Sequence, residues 1–298
     1  MTDHQTSANR RGIVAISLAM ASFLTNDALV KYVSQSLPAA QLIFIRGMFA
    51  TSLLLVVAYT MGLLRAPRVG ETAAWRYVMQ RPVLLRSFLD VLGTMTYLGA
   101  LFHMPIGNAT AINMAAPLFM TLLAVLVFRE RVGAGRWLAT ATGFVGVLLV
   151  VQPAADGFNA WALVCLLSAL LSSSRDLVTR AIHVDVPSVL ITVAAAFATA
   201  LFAGAICAFQ GWQPVTAGQL GLLAAASVFL SSAYYLIVVG MRGGDISVVA
   251  PFRYTALVFA LVIGWVVWGD VPNALAWAGI MLLVGAGLYM MRSGRGRG

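Results

Sequence analysis

The chain has 298 residues, of which 61% are hydrophobic and only 10% charged, with a mean hydropathy of +0.91 and a formal net charge of +9. A soluble domain carries about 25% charged residues, so this composition excludes one and indicates an integral membrane protein. The basic excess does not point to nucleic acid, because the arginines stand in short connections between apolar runs rather than on one polar surface.

Residues 1–11 are polar, end in Arg10-Arg11 and are expected to form a cytoplasmic segment. The first span, 12–33, reads GIVAISLAMASFLTNDALVKYV. About 20 apolar residues suffice to cross a hydrocarbon layer of about 30 Å at about 1.5 Å per residue. The run is long for a signal-peptide core and lacks a small-residue cleavage site, so it is expected to be retained. Asn26, Asp27 and Lys31 interrupt it. An ionisable group at the centre of such a helix costs roughly 2.5–3.5 kcal/mol on insertion scales, and less near its ends.

Nine further spans follow, at 39–61, 83–103, 106–128, 135–152, 159–181, 187–209, 217–240, 246–268 and 273–291. Arginines mark alternate connections: Arg65, Arg68, Arg76 and Arg81, then Arg129, Arg131 and Arg136, then Arg180, then Arg242, with Arg292, Arg295 and Arg297 in the tail 292–298. The intervening connections hold neither Lys nor Arg. Basic residues collect on the cytoplasmic side, so both termini are expected there, which requires an even number of spans. The stretch 69–80 within the long second connection is expected as a short interfacial helix. The alternation predicts an all-α integral membrane fold of ten transmembrane helices.

The pattern of the first span recurs half a chain later. Asp27 is followed by Lys31, and Asp176 by Arg180, each base four residues after its acid. Phe49-Ala50-Thr51 recurs as Phe197-Ala198-Thr199, and Arg129-Glu130 with Trp137 as Gly269-Asp270 with Trp277. Two repeats, 12–152 and 159–291, are therefore expected. Five spans per repeat is an odd number, so the second repeat enters the membrane inverted. Inverted repeats are a common plan for secondary transporters, with the substrate near the midplane where the repeats meet. Gly143, Gly146, Gly279, Gly285 and Gly287 in the last span of each half are expected to serve helix packing.

Polar side chains at membrane depth are the candidate site. Ser87, Asp90, Thr94 and Tyr97 fall on one face of the third span, and Ser227, Ser231 and Tyr234 on one face of the eighth. The two stripes suggest a shared aqueous cavity, with interhelical hydrogen bonding by hydroxyls as the alternative. Asp90 needs a partner, and Arg86, one turn away, is the nearest in sequence. Arg46, Arg175, Asp176 and Arg253 complete the set with Asp27 and Lys31. Their near balance predicts internal pairs: Asp27 with Arg46 or Lys31, and Asp176 with Arg175, Arg180 or Arg253. Such pairs either hold the fold or bind a polar substrate and exchange between states. Pro117 frees the carbonyl of Asn113, and Pro251 likewise breaks the ninth span. Tyr97, Tyr234, Tyr235 and Tyr254 are suited to a planar ring, or to core and interfacial packing. Cys165 and Cys207 lie within apolar runs as packing residues. No phosphate-binding loop, H-E-x-x-H or G-x-S-x-G occurs, so neither an ATP motor, an enzyme nor a resident cofactor or metal is expected.

The ten spans, the duplication, the stretch PLFMTLLAVLVFRE from Pro117 to Glu130 and the following RWLATATGFVGVLLV resemble the EamA repeat of the drug/metabolite transporter superfamily. In the second repeat Leu257 stands where the first has Pro117, and Asp270 where it has Glu130. Asn26-Asp27, Lys31-Tyr32, Phe44-Ile45-Arg46 and Ala250-Pro251-Phe252-Arg253-Tyr254 are similar to the branch that includes bacterial S-adenosylmethionine importers. Riboflavin importers of the superfamily are similar in length and plan. The resemblance implies a multi-pass secondary transporter of the bacterial inner membrane. Its expected partners are a small-molecule substrate and the lipid bilayer, without nucleic acid and with a homodimer left open. Uptake of a planar heterocycle, riboflavin ahead of S-adenosylmethionine, is the leading expectation. Efflux of amino acids or toxic metabolites is the second, and a non-transporting scaffold the third. The expected substrate or coupling residues are Asp27, Arg46, Asp90, Arg175, Asp176, Arg253, Tyr97, Tyr234, Tyr254 and Asn113.

Overall fold

Hydrocarbon offers no partner to backbone N–H and C=O groups, so an apolar chain of this kind satisfies them within helices. The computed structural model describes residues 3–65, 73–129, 133–152, 159–179, 181–183, 185–243 and 249–293, and all regular structure among them is helical. The helices are α1 Asp3–Val33, α2 Ala39–Thr60, α3 Ala74–Val78, α4 Arg81–Phe102, α5 Ile106–Asn113, α6 Ala116–Phe128, α7 Ala134–Val151, α8 Trp161–Thr179, α9 Ser188–Gln210, α10 Ala217–Gly243, α11 Thr255–Trp268 and α12 Ala274–Ser293. A 3₁₀ turn, Ala250–Tyr254, leads into α11.

Among the described residues, seven helical segments are long and apolar enough to cross a membrane: Asn9–Val33, Ala39–Thr60, Arg81–Phe102, Ile106–Val127, Trp161–Thr179, Ser188–Gln210 and Ala217–Ile237. Three shorter apolar helices, Trp137–Val151, Phe252–Trp268 and Ala274–Met290, lie at the fifth, ninth and tenth expected spans. The chain is therefore a multi-pass membrane protein.

Local chemistry explains where the helices depart from the expected spans. α1 begins at Asp3, well before Gly12, because neither Pro nor Gly interrupts residues 3–11, and Asn9 is already buried. The fourth span is not continuous: it breaks at Met114-Ala115, just ahead of Pro117, which has no N–H to donate back to Asn113. Ser173 of α8 donates a 2.8 Å hydrogen bond to the Ala116 carbonyl at this break. Pro251 sits in the 3₁₀ turn before α11, as the second expected break. The expected interfacial helix shrinks to α3, and residues 69–72 lie outside the described set, as do Arg68, Glu130, Arg131, Arg180, Arg295 and Arg297. The side chains of Arg136, Arg242 and Arg292 are likewise outside it.

The principal packed pairs are α1 with α10, α2 with α9, α4 with α8 and α7 with α12. Next come α2 with α10, α4 with α9, α1 with α11, α6 with α8 and α5 with α11. Small residues set the closest approaches. A Cβ on Gly146 would lie 2.7 Å from the Gly279 carbonyl oxygen, so α7 and α12 meet backbone to backbone. Gly47 of α2 abuts Ala200 of α9, and Gly143 abuts Leu118 and Ala286. Gly285 has nothing within 4 Å and takes no part in the packing expected of it. Both cysteines are buried and free.

One end of the bundle is laced by polar side chains. The Gln41 amide donates to the Gln213 carbonyl at 2.7 Å and accepts from the Gln213 N–H at 3.0 Å. Gln219 donates to Ser36, and Lys31 donates to the Met104 carbonyl while lying 5.0 Å over the Trp268 ring. Asn159 donates to the His103 carbonyl, His103 stacks on Trp161 at 4.0 Å, and Gln152 and Asn273 exchange amide hydrogen bonds. These contacts gather four of the connections without Lys or Arg, together with Gln152 and Asn159, at a common end. Arg65, Arg76 and Arg81, beyond the far end of α2, stand at the opposite end.

Candidate functional site

α4 carries two polar layers on one face, seven residues or about 10 Å apart along the axis at about 1.5 Å per residue. Tyr97 marks the first and Asp90 the second.

The first layer joins α1, α2 and α4. Tyr97 donates to Asp27 Oδ2 at 2.8 Å, and the Asn26 amide nitrogen donates to Asp27 Oδ1 at 2.9 Å. The Asn26 oxygen in turn accepts from Arg46 Nη1 at 3.4 Å. Asp27 and Arg46 are thus coupled through an amide rather than paired directly. Asn26 is 1% and Arg46 8% exposed, and Arg46 Nε is enclosed without a hydrogen-bond partner. Ser227 of α10 donates to the Arg46 carbonyl at 3.0 Å, fixing α2 against α10. One turn before Asp27, the Phe23 ring meets Tyr234 edge-on at 5.2 Å, and Tyr234 remains 45% exposed.

The second layer joins α4 and α8. Arg175 Nη1 binds Asp90 Oδ1 at 2.7 Å, while its Nε and Nη2 bind Asp176 Oδ1 at 3.0 and 2.8 Å. One guanidinium therefore binds two carboxylates at once, through separate nitrogens of its planar fork. Arg86 donates to the Thr179 hydroxyl at 3.2 Å.

Several expected partners are corrected by this geometry. Asp90 pairs with Arg175, not with Arg86 one turn away, because α8 packs along α4 and brings the guanidinium across. Lys31 turns from Asp27 to the Met104 carbonyl and Trp268, since four residues along α1 carry it into the laced end. Asp176 pairs with Arg175, as expected among three alternatives. Arg253 is exposed and joins no ion pair among the described residues. Tyr254 packs against Gly287 of α12, and Asn113 ends α5 at the Pro117 break. Neither contacts the two layers through a described hydrogen bond. The stripe on α10 divides: Ser227 serves packing, and Tyr234 faces open space beside Phe23. No cluster of three potential metal ligands occurs among the described residues.

Sequence reasoning passed over Phe23 and took Asn26 as a polar interruption and part of the family resemblance, not as a site residue. The signal for both was present: Phe23 lies four residues before Asp27 on the same helical face, and Asn26 is its neighbour.

The model of the EamA-like transporter family matches residues 10–152 and 159–292. A protein of Rhizobium johnstonii named riboflavin transporter is 32% identical over 220 residues, covering 74% of this chain and 70% of the relative. A riboflavin transporter of Vibrio cholerae is 29% identical, covering 92% and 90%. An S-adenosylmethionine uptake transporter of Rickettsia bellii is 26% identical, covering 95% and 94%.

Proposed function

Since the chain belongs to the EamA-like transporter family, within the drug/metabolite transporter superfamily, and is a bacterial multi-pass membrane transporter, we propose that it is a secondary transporter that takes up riboflavin by alternating access. The observation that carries this reading is the first polar layer. A buried arginine and a partly buried aspartate bridged by an amide, with Tyr97 in contact and Phe23 and Tyr234 a turn away, suit a planar ring with a polar edge. The riboflavin transporters among the relatives support this choice of ring.

The reading takes the chain as ten spans in two inverted repeats, 12–152 and 159–291, in the inner membrane with both termini cytoplasmic. The packing supports the repeat. Exchanging α1 with α8, α2 with α9, α4 with α10, α5 and α6 with the 3₁₀ turn and α11, and α7 with α12 turns the nine packed pairs named above into themselves. The laced end is then periplasmic and closed. Uptake requires this lacing to open and the second layer, Asp90, Arg175 and Asp176, to rearrange as the repeats rock.

A second reading, uptake of S-adenosylmethionine, is favoured by the opposite charges of Asp27 and Arg46, which complement an amino-acid zwitterion. The test is uptake of labelled riboflavin, with labelled S-adenosylmethionine in parallel, by cells lacking their own importers and expressing this chain. Saturable riboflavin uptake competed by unlabelled riboflavin is the expected result. Uptake of neither, with the protein in the membrane, overturns the proposal.

A further inference from the structure

The two layers differ in how their charges are satisfied. Arg175 spends its nitrogens on Asp90 and Asp176 and has little left to offer. Arg46 has five N–H donors by its chemistry, and among the described residues its side chain makes one long hydrogen bond, to Asn26. No carboxylate among the described residues lies within ion-pair distance of it. A buried cation without a direct counter-ion is costly, and unmade buried hydrogen bonds add to that cost. The position equivalent to Asn26 in the second half, matching Asp27 with Asp176, is Arg175. A base there closes the second layer on itself, whereas an amide there keeps the first layer open.

We propose that Asn26, Asp27 and Arg46 form the polar end of the substrate site, and that this end takes a molecule whose edge carries a hydrogen-bond donor beside carbonyl or carboxylate acceptors. Arg46 receives the acceptors and Asp27 the donor. Asn26 is the positioning residue that holds the two charges apart until such an edge bridges them. Tyr97 keeps Asp27 aimed, and Tyr234 offers its ring to the body of the molecule. Because Arg46 Nε is enclosed, the edge enters only after the lacing or the second layer loosens. The inference rests on the transporter reading above but not on riboflavin as the cargo. The imide edge of a flavin and the amino-acid end of S-adenosylmethionine share the required chemistry.

The experiment is equilibrium binding to the purified full-length chain in detergent. Riboflavin is followed by its own fluorescence and S-adenosylmethionine by calorimetry, with a melting curve for every variant. Arg46→Lys is expected to weaken binding about tenfold or more, because a point charge does not replace a planar fork. Asn26→Ala is expected to weaken it similarly and to lower the melting temperature only modestly, because the freed Asp27 and Arg46 side chains can then meet directly; a merely structural amide would lower the melting temperature and leave the affinity unchanged. The double variant Asp27→Asn with Arg46→Gln keeps the layer uncharged and hydrogen-bonded, and so remains folded without binding. Riboflavin binding that is indifferent to Arg46→Lys and to the double variant overturns the inference and leaves riboflavin uptake standing. Binding of S-adenosylmethionine alone, lost in the same variants, upholds the inference and refutes riboflavin as the cargo. Binding of neither compound by the folded chain overturns both.

Discussion

Gln41 offers the sharpest test of the laced end. Its side chain is fully buried and holds the backbone of Gln213 by two reciprocal hydrogen bonds of 2.7 and 3.0 Å. Gln41→Met keeps the length and flexibility of the side chain but removes both bonds. A hydrogen bond contributes about 0.5–1.5 kcal/mol net, so the pair is worth about 1–3 kcal/mol. Gln213 is exposed, so water takes up part of the loss and the lower end of that range applies. If these bonds hold the end closed, their loss raises the open population by about 5-fold at 1 kcal/mol and about 150-fold at 3 kcal/mol. Cys207 reports it directly. It lies buried under the segment that Gln41 anchors, in a groove lined by Phe44, Gly204, Gly211 and Trp212. In a Cys165→Ala background, labelling of Cys207 by a membrane-impermeant maleimide is expected to quicken by at least about 5-fold. An unchanged labelling rate, with an unchanged melting curve, refutes the assignment of this lacing as a gate.

Arg175→Gln strands Asp90 as an unpaired carboxylate and is expected to abolish uptake and lower the melting temperature, while Asp90→Asn in the same chain restores the melting temperature. Lys31→Met leaves the Met104 carbonyl without its donor and removes the charge over Trp268, which is expected to destabilise the chain by about 1–3 kcal/mol in thermal unfolding. Gly279→Ala forces a methyl to 2.5 Å from the Gly146 carbonyl oxygen and is expected to separate α7 from α12 and lower the melting temperature. Gly285→Ala, with nothing within 4 Å, is the matched neutral substitution.

Much of the membrane architecture was legible because lipid leaves few choices. Apolar runs of sufficient length become helices: among the described residues seven helical segments are long and apolar enough to span, and three shorter apolar helices lie at the remaining expected positions. Prolines announced their own breaks, since Pro117 and Pro251 each lack a donor wherever the chain goes. The candidate site was legible as a list of unusual residues, because ionisable groups stand out in an apolar chain.

The partners were not legible. Asp90 and Arg175 are 85 residues apart, Tyr97 and Asp27 are 70, and Gln41 and Gln213 are 172. Local spacing favoured Arg86 for Asp90 and allowed Lys31 for Asp27, because neighbours along one helix are the only distances a sequence contains. Which helix lies beside which is decided by the fit of small residues such as Gly146 and Gly279, and that fit exists only once both surfaces are built. The sequence by itself determined that this chain lives in a membrane, where its helices run and which side chains are out of place there. Only the tertiary structure decided that one arginine closes on two aspartates while another is left with donors to spare. A charge in a low-dielectric interior answers to whatever lies within a few ångströms, not to its neighbours in the chain.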